Sequence, residues 1–327
     1  MTKRCFLYIN FFFLFGCNEY DVDINSIYPV NGTQEFNEGV FLSDTWNIQE
    51  HEGHFYLNDY PNDRILMTDN YLQLLDTFGK KGNGPGEFQG AGAFFVYNDS
   101  IYVHDDGGMR LNIFNSNRVF ERTIILPPVN LNWTRFAVLN NKIYLQSAIG
   151  SDYDMLILDL HGEIIKEINE IQNRRDEMQY RAIFPFQNEI IALHRTAPYI
   201  ERYSELGVLL EVFDLTSVKE MQGLWSHYKN VRGQNNRRNM TILFSDAYIN
   251  DSFLYILCSG WPGRDEYSYI IKLLIGEQKI ETSNVFKIQG WDPSMSFFKS
   301  ITIKENRMIA LEGRSQTIFE FDLSELK

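Results

Sequence analysis

Six side chains able to ligate a metal or move a proton recur at one place in a repeated strand: Asp59, Asp105, Ser147, His194, Cys258 and Glu312. Each stands three residues after the Tyr or Ile that marks its copy of the repeat. Gathered in a ring, three carboxylates and an imidazole would suit Ca²⁺ or Zn²⁺. Such an ion would support hydrolysis or elimination. The competing reading is structural, since Asp and Ser are favoured wherever a strand runs into a turn. Asp59, Asp105, His194 and Glu312 are therefore candidate ligand-binding positions, with no metal assigned to them.

Loops hold further candidates. Trp133, Trp261 and Trp291 lie within 130–135, 259–265 and 289–293, beside Asn, Asp and Arg. An exposed Trp can stack on a sugar face while polar neighbours bond the hydroxyls, or it can fill a gap between sheets. Lys229, Arg232, Arg237 and Arg238 follow one another without an intervening acid in the irregular stretch 218–240. They read as part of a solvated helix-loop insertion, or as a docking surface for an acidic partner or a lid on the mouth.

Other patterns fail on context. His51-Glu52-Gly53-His54 lacks the spacing of a zinc-binding helix and reads as a turn. Gly79 to Phe88 holds four glycines and two lysines. A phosphate-binding loop, however, needs G-x-x-x-x-G-K-[S/T] opening a helix. Here Gly86 is followed by Glu87, Phe88 and a strand-like run, Phe94 to Tyr97, so the segment reads as a joint between two repeats. There is no C-x-x-C, G-x-S-x-G or calcium-loop motif. Cys258 reads as a small buried hydrophobe.

The elements that must position these residues follow a period. Phe55-Tyr56-Leu57, Ile101-Tyr102-Val103 and Ile143-Tyr144-Leu145 are clear copies; Ile190-Ile191, Leu254-Tyr255 and Met308-Ile309 open weaker ones. From Tyr56 onward the spacings are 46, 42, 47, 64 and 54 residues. Polar turns precede the copies, and third and fourth strand-like segments follow. Four short strands per period of about 45 residues is the pattern of a propeller blade. Six copies fit between Trp46 and Lys327, and the last has only three strands. A ring must not leave that edge open, so either Ile24 to Val30 or Phe36 to Leu42 is expected to supply the fourth. The predicted fold is all-β, a six-bladed β-propeller of four-stranded antiparallel blades, closed by an N-terminal strand.

Phe78-Gly79 through Gly84-Pro85-Gly86-Glu87-Phe88, the Tyr-Val-x-Asp strand and the pairs Arg64-Ile65 and Arg110-Leu111 resemble NHL-type repeats. The leader adds a second resemblance. Lys3 and Arg4 precede an apolar stretch, Phe6 to Phe15, too short to span a bilayer, which ends Leu14-Phe15-Gly16-Cys17. That ending is similar to a bacterial lipobox, with Cys17 the lipidated residue. A lipobox ahead of six such blades resembles the TolB-like propeller lipoproteins of Gram-negative bacteria. The resemblance implies a signal peptide over 1–16, a tether and closing strand over 17–35, and the propeller over 36–327. It also implies a place in the cell envelope, at the outer membrane.

Composition narrows the function. The formal charge is −13, and loss of Lys3 and Arg4 with the leader takes it to −15. That excludes a nucleic-acid binder, which needs a basic face. Cys5 leaves with the leader and Cys17 carries lipid, so Cys258 has no disulfide partner. The expectation is a monomeric, lipid-anchored module that binds a glycan, peptide or envelope protein and needs no cofactor. The alternative is a hydrolase or lyase using Ca²⁺ or Zn²⁺ at the channel mouth.

Overall fold

The computed structural model describes residues 24–129, 131, 134–148, 151–169, 180–234, 242–250, 252–258, 269–289 and 297–324. Six antiparallel sheets follow one another along the chain. Blade 1 runs Ile48–His51, His54–Asp59, Arg64–Thr68 and Leu74–Phe78. Blade 2 is Ala91–Tyr97, Ser100–Asp105, Arg110–Asn115 and Phe120–Ile125; blade 3 is Ala137–Leu139, Lys142–Gln146, Met155–Asp159 and Ile164–Ile168. Blade 4 is Arg181–Phe186, Glu189–His194, Tyr199–Ser204 and Leu209–Asp214. Blade 5 is Asp246–Asn250, Phe253–Cys258, Tyr269–Ile275 and Ile280–Ile288; blade 6 opens with Phe298–Lys304, Arg307–Glu312 and Ile318–Asp322. The first strands pack on one another in cyclic order, and Phe298–Lys304 returns to Ile48–His51 to close the ring.

Burial explains the sequence pattern. Each blade is sandwiched between two others, so its second strand is covered on both faces. Phe55 to Asp59 and Ile190 to His194 are buried throughout. Such strands read as continuous apolar runs, whereas the outermost strands alternate, as Leu209–Asp214 does. Apolar clusters fill the seams between blades. Side chains staple them as well: Gln49 bonds both backbone groups of Val96, and Arg202 reaches the Gly276 and Glu277 carbonyls.

The ring is fastened twice. Pro29–Thr33 pairs antiparallel with Ile318–Asp322 and completes blade 6. The preceding strand, Ile24–Ile27, adds a fifth strand to blade 5, parallel to Ile280–Ile288. The second segment expected to close the ring forms only a short hairpin, Glu35–Phe36 with Val40–Phe41. It is too short to close an edge, and it docks on blade 1 through Asn37 and Leu74.

The stretch read as irregular contains a helix, Lys219–Gln234. Val218, Met221, Leu224 and Tyr228 are buried against blades 4 and 5. Their spacing of three to four residues is one helix face. The longer fourth interval is thus a helix built into the core between blades.

In Gly79 to Phe88 the glycines make room for neighbouring side chains. Gly79 has φ +81°, and a Cβ there would lie 2.3 Å from Phe88 Cε2. Phe88 is thereby buried in the seam between blades 1 and 2. The loop fills its own cradle: the Gly84 amide donates to Glu87 Oε2 at 2.8 Å, and Lys80 pairs with Oε1 at 3.1 Å.

Candidate functional site

The first strands converge on the channel axis, and one position recurs nine residues before each repeat mark: Asn47, Ala93, Arg135, Ala182, Asp246 and Ser300. Register agrees, since Ala182, Asp246 and Ser300 pair with Leu193, Leu257 and Leu311. Three members of this ring form a plug. Arg135, from blade 3, donates from Nε to Asp246 Oδ1 and from Nη2 to Oδ2, both at 2.6 Å. Nη2 also approaches the Ile48 carbonyl at 2.9 Å, Ser300 Oγ at 3.0 Å and the Ile301 carbonyl at 3.3 Å. Ser300 Oγ and the Ile301 amide donate to Asp246 Oδ2 at 2.5 and 3.1 Å. The guanidinium lies 6.0 Å from the Phe184 ring of blade 4. Arg135 therefore contacts blades 1, 4, 5 and 6 from blade 3, which requires it to cross the channel. Ala93 and Ala182, at the same level, leave it space.

A second cation sits beside the plug. Arg195 donates to the Phe244 and Ser245 carbonyls at 3.1 and 2.9 Å. Burial pushes its pKa down to about 10, with Asp246 opposing and Arg135 reinforcing that shift. Desolvation disfavours any charge held here, and the carboxylate is what makes two guanidiniums tolerable.

A second buried network lies within blade 4. Arg181 Nε donates to Glu201 Oε2 at 2.9 Å, Tyr203 donates to the same oxygen at 2.9 Å, and His194 Nε2 lies 2.9 Å from Oε1. Burial alone would raise the Glu201 pKa; His194 and Arg181 outweigh it and hold the carboxyl far below the usual range. The His194 ring also packs on Tyr199.

The residues predicted to form a mouth ring are engaged locally. Asp59 accepts from Arg64 Nε at 2.7 Å, from Asn62 and from Ser43. Asp105 accepts from Arg110 Nε at 2.9 Å and from the Gln89 amide at 2.7 Å. Glu312 accepts from the Arg314 and Ser315 amides at 2.6 and 2.5 Å. Ser147 bonds the Tyr153 carbonyl. Cys258 is buried in the apolar core, where burial pushes its thiol up. Asp59, Asp105, Ser147 and Glu312 thus bond residues of the turn between the second and third strands of their own blades, whereas His194 joins Glu201 and Cys258 packs in the core. Among the described residues no three His, Cys, Asp or Glu side chains are placed to hold a metal ion. His51 to His54 forms a tight hairpin turn, with Glu52 and Gly53 at positive φ.

Trp133, Trp261, Trp291, Cys17, Arg237 and Arg238 lie outside the described residues. Arg232 falls on the helix, and Lys229 stands 5.5 Å from the Trp225 ring. Sequence reasoning missed Arg135, Asp246, Arg195 and Ser300. The signal available was an unpaired charge at one fixed offset in two copies of the repeat.

Six antiparallel sheets around a plugged axis define a six-bladed β-propeller. The chain belongs to the TolB-like 6-blade propeller-like family, whose model matches residues 29–286. No curated protein matches the sequence. Among solved structures, a Bacteroides fragilis protein described as exported is 14% identical, with 87% of this chain and 82% of that one covered and a TM-score of 0.55. A member of the DUF4221 family from Bacteroides vulgatus is 12% identical over 92% and 96% of the two chains, TM-score 0.56. A streptogramin B lyase is 13% identical over 90% and 98%, TM-score 0.51. At these identities the likeness is one of fold, and function must be argued from the site.

Proposed function

We propose that this propeller is an exported, lipid-anchored binding module of the cell envelope that presents a glycan, peptide or protein ligand to its mouth loops. The observation that carries this reading is the commitment of the mouth's charged groups. Arg135 is spent on Asp246, Asp59 on Arg64, Asp105 on Arg110 and Glu312 on two backbone amides. The ring is thereby rigid and its axis closed, which suits a scaffold that holds variable loops in place. Export rests on the leader, the lipobox-like Leu14-Phe15-Gly16-Cys17, and the fold shared with a Bacteroides protein described as exported. Cys17, which ends the lipobox-like segment, is the proposed anchor.

Glycan recognition is assigned to Trp133, Trp261 and Trp291, and docking of an acidic partner to Lys229, Arg232, Arg237 and Arg238. The test is titration of envelope glycans and peptides against the mature protein and against Trp133→Ala, Trp261→Ala and Trp291→Ala variants. Saturable binding lost in these variants, with unfolding temperature unchanged, supports the module. Binding indifferent to all three removes the glycan assignment.

A further inference from the structure

We infer that the propeller sits edge-on against the lipid bilayer, with its N-terminal strap facing the membrane. This rests on the proposal that Cys17 is lipidated. Only six residues separate Cys17 from Ile24, the first residue of the strand on the outer edge of blade 5. The seven Cα-to-Cα steps from one to the other reach about 25 Å at full extension. An acyl anchor on Cys17 therefore keeps the perimeter of blades 5 and 6 within about 25 Å of the headgroups, and the exposed side chains of the strap select the edge-on seating.

The strap is suited to that surface. Tyr28, Val30 and Phe41 are 55%, 63% and 61% exposed; the first two lie on the strap, and Phe41 follows in the short hairpin beside it. Val30 is extruded by a bulge, since Pro29 and Asn31 pair with adjacent residues, Phe321 and Glu320. Phe41 borders the same shallow depression as Gly32, Thr33, Glu35 and Phe319. A tyrosine and a phenylalanine flanked by polar backbone and short side chains match the headgroup boundary, where aromatic rings are stable. The lipid supplies the anchor, and shallow apolar contacts beside it fix the orientation of the ring. The acids Glu19, Asp21 and Asp23 of the tether favour a zwitterionic surface over an anionic one. Edge-on seating turns the channel axis parallel to the membrane. The mouth loops then reach ligands alongside the bilayer.

The experiment uses the mature lipidated protein in phosphatidylcholine–phosphatidylethanolamine vesicles. An environment-sensitive fluorophore is attached through Tyr28→Cys, Val30→Cys or Phe41→Cys. Ile125→Cys, Ile165→Cys and Leu210→Cys serve as controls, at 68%, 52% and 50% exposure on blades 2, 3 and 4. Cys258 is buried and its thiol is pushed up, and Cys17 is acylated, so the introduced thiol is the one that reacts. A blue shift and quenching by spin-labelled lipid at the three strap positions, absent at the controls, is the expected result. Vesicle flotation with no strap shift, or with equal shifts at all six positions, overturns the orientation and leaves lipidation standing. A Cys17 that carries no lipid by mass spectrometry overturns both.

Discussion

Arg135 and Asp246, 111 residues apart, hold the same place in blades 3 and 5 and meet on the propeller axis through two bonds of 2.6 Å. Neither has bulk water to fall back on. Removing one partner of a buried pair leaves the other uncompensated, which costs far more than replacing both. Arg135→Ala is therefore expected to lower unfolding free energy by about 3–5 kcal/mol. Arg135→Met combined with Asp246→Leu should cost much less than the two single changes summed. Urea unfolding midpoints decide it; strict additivity would mean that the pair is not coupled.

The strap should matter as much as any blade. Deleting residues 24–33 strips the fourth strand from blade 6 and the fifth from blade 5. An open sheet edge invites pairing with another chain. The shortened protein is expected to melt lower and to scatter light on warming, while Tyr28→Ser should do neither. An unchanged melting temperature would show that six blades close without the strap.

Gly79 tests whether the glycine loop is structural. Its positive φ and the 2.3 Å approach of Phe88 leave no room for a methyl group. Gly79→Ala should destabilise by about 1–3 kcal/mol, from αL strain and displacement of Phe88. Lys80→Ala, at an exposed pair, should change stability by less than about 1 kcal/mol. A loop that bound phosphate would show the reverse order in a phosphate-binding assay.

Acid sensitivity should trace to Glu201. Its folded-state pKa is depressed: burial raises it, but His194 and Arg181 lower it by more. A depressed carboxyl contributes stability that is fully present above its unfolded value, and that contribution is lost as pH falls toward the folded value. Wild-type stability should thus decline below about pH 4, the ordinary carboxylate range. Glu201→Gln should be less stable at neutral pH and flatter in acid. Parallel stability–pH curves for the two proteins would contradict this.

The fold was legible because a blade repeats its signals. Tyr56, Tyr102 and Tyr144 mark second strands that are buried on both faces, and the polar turns before them recur in register. The closing strand was half legible: the missing strand announced itself, but Ile24 to Val30 contains a break, at Tyr28, between strands in two different blades. The insertion was legible as a helix-loop but read as solvated, because the Lys, Arg and Asn content of 229–240 hid the buried face that Val218, Met221, Leu224 and Tyr228 form. The mouth ring carried two readings in the sequence because Asp and Glu recur where a strand ends, and the local bonds of Asp59, Asp105 and Glu312 are those of turn closure. The plug was invisible because a lone Arg and a lone Asp carry no local sign of each other. Only the ring's closure brings position 135 to position 246.

The central claim is that the mouth binds a ligand through its loops rather than performing metal-assisted chemistry. Thermal unfolding of the mature protein in EDTA, Ca²⁺ and Zn²⁺ tests it most directly, because a ligand at a hundred times its dissociation constant adds about 2.7 kcal/mol. The account predicts superimposable curves in all three conditions, and a rise only with a glycan or peptide. A rise with one metal, reversed by EDTA and abolished in Asp105→Ala, would contradict it.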